Sequence, residues 1–410
     1  MASTDIPSDF HYDEVRYDDE QVTPGKPPAP LGALAYLKGN FHGIGFNTIF
    51  RPNSGPPPLG TTFHRPVDPV PPTFPSDSVL QLNLTTDHIT FSSNSLGRVP
   101  NRGFGSQPDI FLNGISYVQH VKDVTNLKTG LPDKPHPVGI HFETGLFMNI
   151  PPTNVNPVLQ ESLARMASIP HGTTINAQCL SPTVTYPGPP DIPPVSLKPF
   201  AEGKPHQKIS VPSLNAAKKD TPRLPQDLSK FIDNGTITQE FLHDPNTVLR
   251  NDISMLPPII QTTTFIVSTH PKAPEFGGGV ANIAFLKGAP SDTPGTSNPD
   301  PNAQVPRMTA TFWIETVQSS LQIPVWKPGQ PAMKISPKLN GPPQPGLPIP
   351  VFHVSPPYEI TEPMTITATS TVLQYSQVVF MTFDGITWPH VSVSTLVPLE
   401  PVSVPDSAWK

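Results

Sequence analysis

The segment GIHFETG contains a histidine and a glutamate that could transfer protons as a pair. His141 and Glu143 lie two positions apart. On a β-strand, residues two apart project from the same face, so the carboxylate could orient the imidazole for proton transfer. The alternative is a pair that faces solvent on the outside of a barrel. The sequence leaves both arrangements open.

Two further histidines and two arginines are candidates for the same chemistry. His171 and His390 each follow a proline within otherwise apolar segments, which would either aim them into a cavity or leave them as structural residues. Arg51 and Arg165 stand out in a chain with only 14% charged residues. An inward guanidinium could anchor a carbonyl or a phenolate through its fork of donors.

Neutral donors and aromatic rings could line the same cavity, as most large pockets are apolar with a few placed polar groups. Each of these residues has an alternative as a strand-surface, turn or core residue, and the indoles could plug a barrel end rather than wall a ligand. The candidates are Asn47, Asn176, Gln178, Trp313, Gln374, Tyr375 and Trp388.

Sequence motifs for cofactor, metal or nucleophile chemistry are absent. No phosphate loop, His-Glu-x-x-His pattern or nucleophile-elbow serine occurs. The single cysteine, Cys179, excludes an internal disulfide and a thiolate-cluster metal site, and we interpret it as a buried inert thiol. Gly277-Gly278-Gly279 stands between two strand-like segments, which is typical of a hairpin turn. We therefore predict a hydrophobic small molecule as ligand and no cofactor or metal.

Composition favours a folded β-protein with proline-lined loops. Proline makes up 60 of 410 residues, about three times its usual share of roughly 5%, and proline disrupts long helices. Residues 1–20 carry seven acids against one arginine, so they account for the whole net charge of −6. A neutral body predicts no nucleic-acid partner. No stretch approaches a membrane span, and the first residues lack a secretory signal, so we expect a cytoplasmic protein.

Four regions follow one another along the chain. Short strand-like segments recur in two blocks, separated by a stretch too rich in proline for regular structure. The predicted regions are an acidic, proline-rich arm (1–30), a first barrel domain (31–180), a connector with one or two short helices (181–256) and a second barrel domain (257–410).

Local patterns support this division. VLQLNL (79–84) alternates between apolar and polar residues, and MTITATSTVLQY (364–375) predicts a long strand with one polar face. The closely spaced Gly39, Gly43 and Gly45 indicate a strand that bends sharply or that another backbone approaches closely. In the connector, PQDLSKFIDNG (225–235) predicts a helix with Leu228, Phe231 and Ile232 on one face. Thr236 and Gln239 could cap a second short helical turn.

The segments GNFHGIGFN, PNRG, DIFLNGISYVQ, GIHFETGLFMNIPPT, RMASIPHGTT and WPHVSVSTL resemble a microbial family of calycin-like proteins often labelled "heme-binding protein". This resemblance covers most of both blocks and implies lipocalin- or nitrobindin-like barrels, with haem as an alternative cofactor. Phe41 stands where a nitrobindin-type Gly-x-Trp would have its tryptophan. The two blocks also end in similar segments, Ile-Pro-His and Trp-Pro-His. This similarity and the family resemblance together favour an all-β fold of two tandem antiparallel barrels.

Two functions follow as hypotheses. In size, proline-rich loops and lack of cofactor motifs the chain is similar to fungal lipocalin-like cyclases, some of which promote Diels-Alder reactions. This analogy predicts a cofactor-independent cyclase that dehydrates and cyclises a terpenoid or polyketide, with His141 and Glu143 or His171 transferring protons and Arg51 or Arg165 polarising a carbonyl. The alternative is a haem- or lipid-binding protein in which His171 or His390 ligates iron. The sequence leaves the oligomeric state open.

Overall fold

The computed structural model describes residues 29–51, 79–103, 108–153, 158, 160–179, 183–219, 221–270, 278–282, 304–339, 346–383 and 385–409. Nearly all of the predicted N-terminal arm, and Gly277 of the predicted turn, lie outside these residues.

The described residues are mostly β-strands, with short helices in the connector region. The strands are β1 (Gly39–Arg51), β2 (Val79–Phe91), β3 (Val99–Asn101), β4 (Ile110–Asp123), β5 (Val138–Ile150), β6 (Ser162–Ile169), β7 (Thr173–Cys179), β8 (Val184–Pro187), β9 (Phe200–Ala201), β10 (Arg223–Leu224), β11 (Ile259–Ser268), β12 (Gly279–Asn282), β13 (Gln304–Ile323), β14 (Met333–Ile335), β15 (Phe352–Val354), β16 (Met364–Phe383), β17 (Ile386–Pro398) and β18 (Val402–Ser403). The α-helices are α1 (Ser229–Asp233), α2 (Gln239–His243) and α3 (Thr247–Met255), and 3₁₀ turns span Gly32–Tyr36, Pro212–Leu214 and Asp406–Trp409.

Ten of these strands form one closed antiparallel barrel. Its order is β2-β1-β17-β16-β13-β11-β7-β6-β5-β4, and β4 pairs with β2 to close it. The all-β class is thus confirmed, but two tandem barrels are not. The first block supplies six barrel strands and the second supplies four. The edges of each block pair with the other at β1–β17 and β7–β11, which leaves neither block with an open barrel edge.

The glycines of β1 confirm the expected close approach of another backbone. A Cβ atom on Gly43 would lie 1.8 Å from the carbonyl oxygen of Thr395 in β17, and one on Gly45 would lie 2.2 Å from that of Val393. Glycine at these two positions therefore allows β1 to pair with β17, at a seam between the two blocks of the chain.

The connector packs against the barrel as a covering layer. Leu80, Leu82 and Leu84 of β2 point outward and share a buried apolar cluster with connector residues such as Phe231 and Leu249. Their polar neighbours in the sequence point into the barrel, by alternation along the strand. The predicted alternation of β2 is therefore present, with its apolar face on the outside of the barrel.

The connector helices match the sequence predictions in part. In α1, Phe231 is buried as expected, whereas Ile232 is 42% exposed. The cap of α2 is Thr238, whose hydroxyl accepts a hydrogen bond from the backbone of Phe241, so the cap assigned to Thr236 was wrong. A third helix, α3, was not predicted because its sequence is largely polar. It lies against β17. In the described part of the chain, no helix has both the length and the apolar character needed to cross a membrane.

Two further apolar clusters lie inside the barrel and at the extended ends of its longest strands. Aromatic and aliphatic side chains fill part of the barrel interior, including Phe147, Phe265 and Phe312, whose ring centroids lie 5.0–6.0 Å apart. The long strands β13 and β16 extend past the barrel and pack on the small sheet β14-β15-β18. In β16, Thr365, Thr367 and Thr369 are exposed while the residues between them are buried, which confirms the predicted polar face.

Candidate functional site

The strand register places a tyrosine, a glutamate and an arginine side by side on the inner face of the barrel. In β4 and β5, Tyr117 is opposite Gly145 and Gln119 is opposite Glu143. In β5 and β6, Phe147 is opposite Arg165. Odd-numbered positions of these three strands point inward, as residues of the inner apolar cluster share this parity.

Glu143 lies at the centre of this group. Its Oε1 atom accepts hydrogen bonds from the Tyr117 hydroxyl and from Nη2 of Arg165, the latter at 2.7 Å. Arg165 also donates from Nε to the Tyr117 oxygen at 2.9 Å and from Nη1 to Oε1 of Gln377 at 2.7 Å. Glu143 is 0% exposed and Arg165 is 3% exposed. The group is therefore a buried ion pair whose members are held by hydrogen bonds.

The absence of a side chain at Gly145 makes room for this arrangement. A Cβ atom at that position would lie 2.5 Å from the Tyr117 ring and hydroxyl. The tyrosine can therefore lie across β5 and reach both Glu143 and Arg165.

The ion pair keeps Glu143 charged in a buried position. Burial alone would raise the pKa of Glu143, but the charge of Arg165 and hydrogen bonds from His141 and Tyr117 lower this pKa to about 2. A charge-assisted network of this kind offsets the cost of burying the carboxylate. Glu143 is therefore an acceptor at all pH values near neutrality.

His141 connects this carboxylate to solvent. Its Nε2 atom is 3.2 Å from Oε2 of Glu143, and its side chain is 23% exposed. Because an ionised carboxylate only accepts hydrogen bonds, we assign the proton to Nε2, and Nδ1 is then the basic nitrogen. Of the two arrangements considered for this pair, the inward one is present.

His171 lies next to His141, in the exposed turn between β6 and β7. The two rings are perpendicular, with centroids 5.2 Å apart. Partial burial lowers the pKa of His171, and the neighbouring His141 lowers it further. The structure thus brings together four of the five residues assigned from sequence to proton transfer or carbonyl polarisation: His141, Glu143, Arg165 and His171.

A second carboxyl group lies on the same inner face. Asp87 accepts hydrogen bonds from the Tyr375 hydroxyl at 2.6 Å and from Nε2 of Gln119, which is 2.9 and 3.1 Å from its two oxygens. Burial raises the pKa of Asp87 to about 6, although both hydrogen bonds and His141 act to lower it. The inner face therefore holds two carboxyls whose pKa values are shifted in opposite directions, a pattern found at acid/base sites.

The free energy of unfolding of the wild-type protein is expected to fall between about pH 4 and pH 6 because of Asp87. In Asp87→Asn this fall should be absent. A carboxyl whose pKa is raised on folding stabilises the protein below its unfolded pKa, and this contribution is lost as the pH rises through about 6. The change amounts to about 3 kcal/mol. Urea unfolding from pH 4 to 8 measures it, with the exposed Glu362→Gln as control. Parallel curves for wild type and Asp87→Asn would contradict the assignment.

Arg51 and Asn47 belong to a separate polar row along β1 and β2. Nη1 of Arg51 donates to Gln81 at 3.0 Å, Gln81 donates to Asn83, and Asn83 donates to Asn47. Asn47 in turn donates to the Ser392 hydroxyl at 2.6 Å. By strand alternation this row faces the barrel interior.

The other predicted site residues lie elsewhere. By strand alternation Asn176 and Gln178 point outward from β7, and Trp313 and Gln374 point outward beneath the connector layer. Trp388 is buried against Phe383, onto whose carbonyl it donates. The sequence does not show whether these side chains point into or out of the barrel. The connector covers the outside of several strands, so both faces of those strands are buried.

His390 is a structural residue by its contacts. Its Nε2 atom accepts a hydrogen bond from the backbone nitrogen of Phe50 at 3.0 Å. Burial lowers the pKa of His390 to about 4, so the ring is neutral near pH 7. Nε2, one of the two ring nitrogens that could ligate iron, is thus already engaged.

Four residues of the inner network were missed at the sequence level: Asp87, Tyr117, Gln119 and Gln377. The segment ISYVQHV does place Tyr117 and Gln119 on one face, together with Ile115 and Val121. A polar residue on an otherwise apolar face was therefore the available signal. Contact with Glu143 and Arg165 depends on the register between strands, which that signal does not contain.

An open pocket with a volume of about 790 Å³ lies on the outer face of β2 and β4–β7. Its lining includes the outward residues Ser116, Val118, Leu146, Met166 and Asn176. His141 and Glu143 project from the opposite side of the sheet and do not line it. Among the described residues, no group of three or more histidine, cysteine, aspartate or glutamate side chains is placed to hold a metal ion.

Comparison of the chain with protein-family models, with curated proteins and with solved structures finds no match.

Proposed function

We propose that this protein is a cofactor-independent cyclase that binds a hydrophobic terpenoid or polyketide and promotes its dehydration and hetero-Diels-Alder cycloaddition. The observation that carries the proposal is the His141–Glu143 pair, in which a buried, ionised carboxylate orients an imidazole that reaches solvent. A histidine fixed by a carboxylate is a general acid/base.

The proposed dehydration needs one proton shuttle. In an ortho-hydroxybenzyl alcohol, Nδ1 of His141 accepts the phenolic proton and delivers it to the departing benzylic hydroxyl, which leaves as water. The product is an ortho-quinone methide, and its four-atom oxadiene adds to an alkene to form a chroman. Atoms and charge balance without a cofactor. A positioned acid/base contributes about 10²- to 10⁴-fold in rate.

Three residues act through His141 or beside it in this proposal. Glu143 stabilises the imidazolium that forms during the transfer, as the carboxylate does in a catalytic triad. Arg165 and Tyr117 position Glu143, so this proposal gives Arg165 a positioning role. The inner aromatic rings near Arg165, including Phe147 and Phe312 at 5.8 and 5.3 Å from its guanidinium carbon, supply an apolar environment.

Cyclisation of probe substrates tests the proposal. The purified protein is incubated with ortho-hydroxybenzyl alcohols and terpene alkenes such as myrcene, and the chroman products are separated on a chiral column. We expect an enantiomeric excess and a rate above that in buffer. His141→Ala should lower this rate at least tenfold, or His171→Ala should do so if His171 is the shuttle instead, whereas His353→Ala, at an exposed position of β15, should not.

Two results would overturn this function. One is racemic chroman at the rate of the buffer reaction for every pair of probes. The other is a Soret absorbance band that survives desalting and is lost on replacement of His171, which would identify the protein as a haem binder.

A further inference from the structure

Unsatisfied buried oxygens concentrate on three elements of the fold. In the described part of the chain, seven buried side-chain polar atoms have no hydrogen-bond partner, and six of them belong to α3, β13 or β16. These six are Oδ1 of Asp252, both carboxylate oxygens of Glu315, the hydroxyls of Ser319 and Ser370, and Oε1 of Gln374.

Three of these side chains come from neighbouring positions of the fold. Gln374 is opposite Trp313 in the β13–β16 pair, so it is the diagonal neighbour of Glu315, within reach of long side chains. Asp252 comes from α3 and accepts a hydrogen bond from the Thr395 hydroxyl at 2.7 Å. Thr395 in turn lies opposite Gln374 in the β16–β17 pair. By strand register and through Thr395, two carboxyls and one amide oxygen are thus neighbours between α3 and the barrel.

With both carboxyls ionised, Asp252, Glu315 and Gln374 present only acceptor oxygens to one another. The Gln374 amide nitrogen donates to the Leu249 carbonyl at 3.1 Å and to Thr395 at 2.8 Å, which fixes its oxygen as an acceptor. Asp252 and Glu315 are both 0% exposed, and no ion pair to either is found among the described residues. A buried carboxylate without a positive partner is strongly unfavourable.

We propose that Asp252, Glu315 and Gln374 bind a calcium ion between α3 and the outer face of the barrel. All the unsatisfied atoms are oxygens, which are the ligands of hard cations, and a divalent ion balances two carboxylates. Calcium accepts six to eight oxygens in flexible geometry, whereas magnesium retains several waters that a fully buried position does not favour. Ser370, a diagonal neighbour of Glu315 on β16, adds a neutral oxygen.

Metal content and thermal stability of the full-length protein test this site. The protein is purified without chelator, passed through gel filtration and analysed for calcium. A second sample is dialysed against a chelator and melted with and without 1 mM calcium or magnesium chloride. We expect about one calcium per chain and a melting temperature raised by several degrees, more by calcium than by magnesium.

Variants assign the ion to this cluster. Asp252→Asn and Glu315→Gln should lose both the bound calcium and the calcium-dependent rise in melting temperature. Asp227→Asn, at an exposed carboxylate of the connector, should keep both. Ser370→Ala keeps both carboxylates. We expect it to raise several-fold the calcium concentration at which half of the increase in melting temperature is reached. This variant tests the site even if the charge variants do not fold.

Either of two results would overturn the proposal. The first is wild-type protein without bound calcium whose melting temperature does not respond to calcium, which would mean that protons neutralise the pair. The second is a calcium effect that persists unchanged in the variants of Asp252, Glu315 and Ser370, which would place the ion elsewhere.

Discussion

Replacing Arg165 by methionine is expected to lower the free energy of unfolding by about 3 to 5 kcal/mol. The substitution keeps an unbranched side chain but removes the positive charge next to Glu143, which is 0% exposed. It also breaks the hydrogen bonds from Arg165 to Tyr117 and Gln377. A buried carboxylate that loses its partner retains the full cost of desolvation. Urea or thermal unfolding at pH 7 measures the loss.

A second substitution separates this charge effect from lost packing. In Arg165→Met/Glu143→Gln both charges are absent, so we expect most of the stability to return, since replacing a whole buried pair is often close to neutral. The surface pair Lys219–Asp227, with side chains 59% and 56% exposed, provides the control. Lys219→Met there should cost at most about 1 kcal/mol. An equal loss in the single and double variants would show that Arg165 stabilises the barrel through packing alone.

How far the site was predictable depends on the range of the interactions involved. His141 and Glu143 were predicted as a pair because they are two residues apart on one strand, and alternation alone places them together. Arg165 was a candidate because charged residues are rare in this chain, but its contact with Glu143 follows from the β5–β6 register. Tyr117 reaches the same carboxylate only because position 145, on the neighbouring strand, is a glycine. Neither contact is encoded locally.

The fold was likewise predictable where it depends on local patterns, and not where it depends on pairing between distant strands. The alternation in VLQLNL and MTITATSTVLQY correctly predicts strands with two different faces, but it does not say which face lies inside the barrel. Leu80, Leu82 and Leu84 face outward because the connector supplies an apolar cover for them. Closure of one barrel from both blocks depends on pairings between residues some 340 positions apart, such as Asn47 with Ser392. Local patterns could not distinguish this closure from two separate barrels.

Gly43→Ala is expected to have the largest effect on folding, a loss of more than about 4 kcal/mol or of soluble protein altogether. The new methyl group would lie 1.8 Å from the Thr395 carbonyl oxygen, 2.7 Å from its carbonyl carbon and 2.9 Å from the Leu396 Cα atom. All three are backbone atoms of β17, so no side-chain rotation relieves the contact. Strands β1 and β17 would have to separate, and their pairing joins the first block to the second.

Gly139→Ala in β5 is the matched control, because no heavy atom lies within 4 Å of a Cβ placed there and its φ is not in the left-handed region. We expect its stability to stay within about 1 kcal/mol of wild type, since a compatible glycine-to-alanine change restricts mainly the unfolded chain. Soluble yield and thermal unfolding compare the two variants. If Gly43→Ala melts like Gly139→Ala, then β1 and β17 do not approach as closely as described. The seam at Gly43 would then not be what holds the two blocks in one barrel, and separate barrels would again be the simpler account of the sequence.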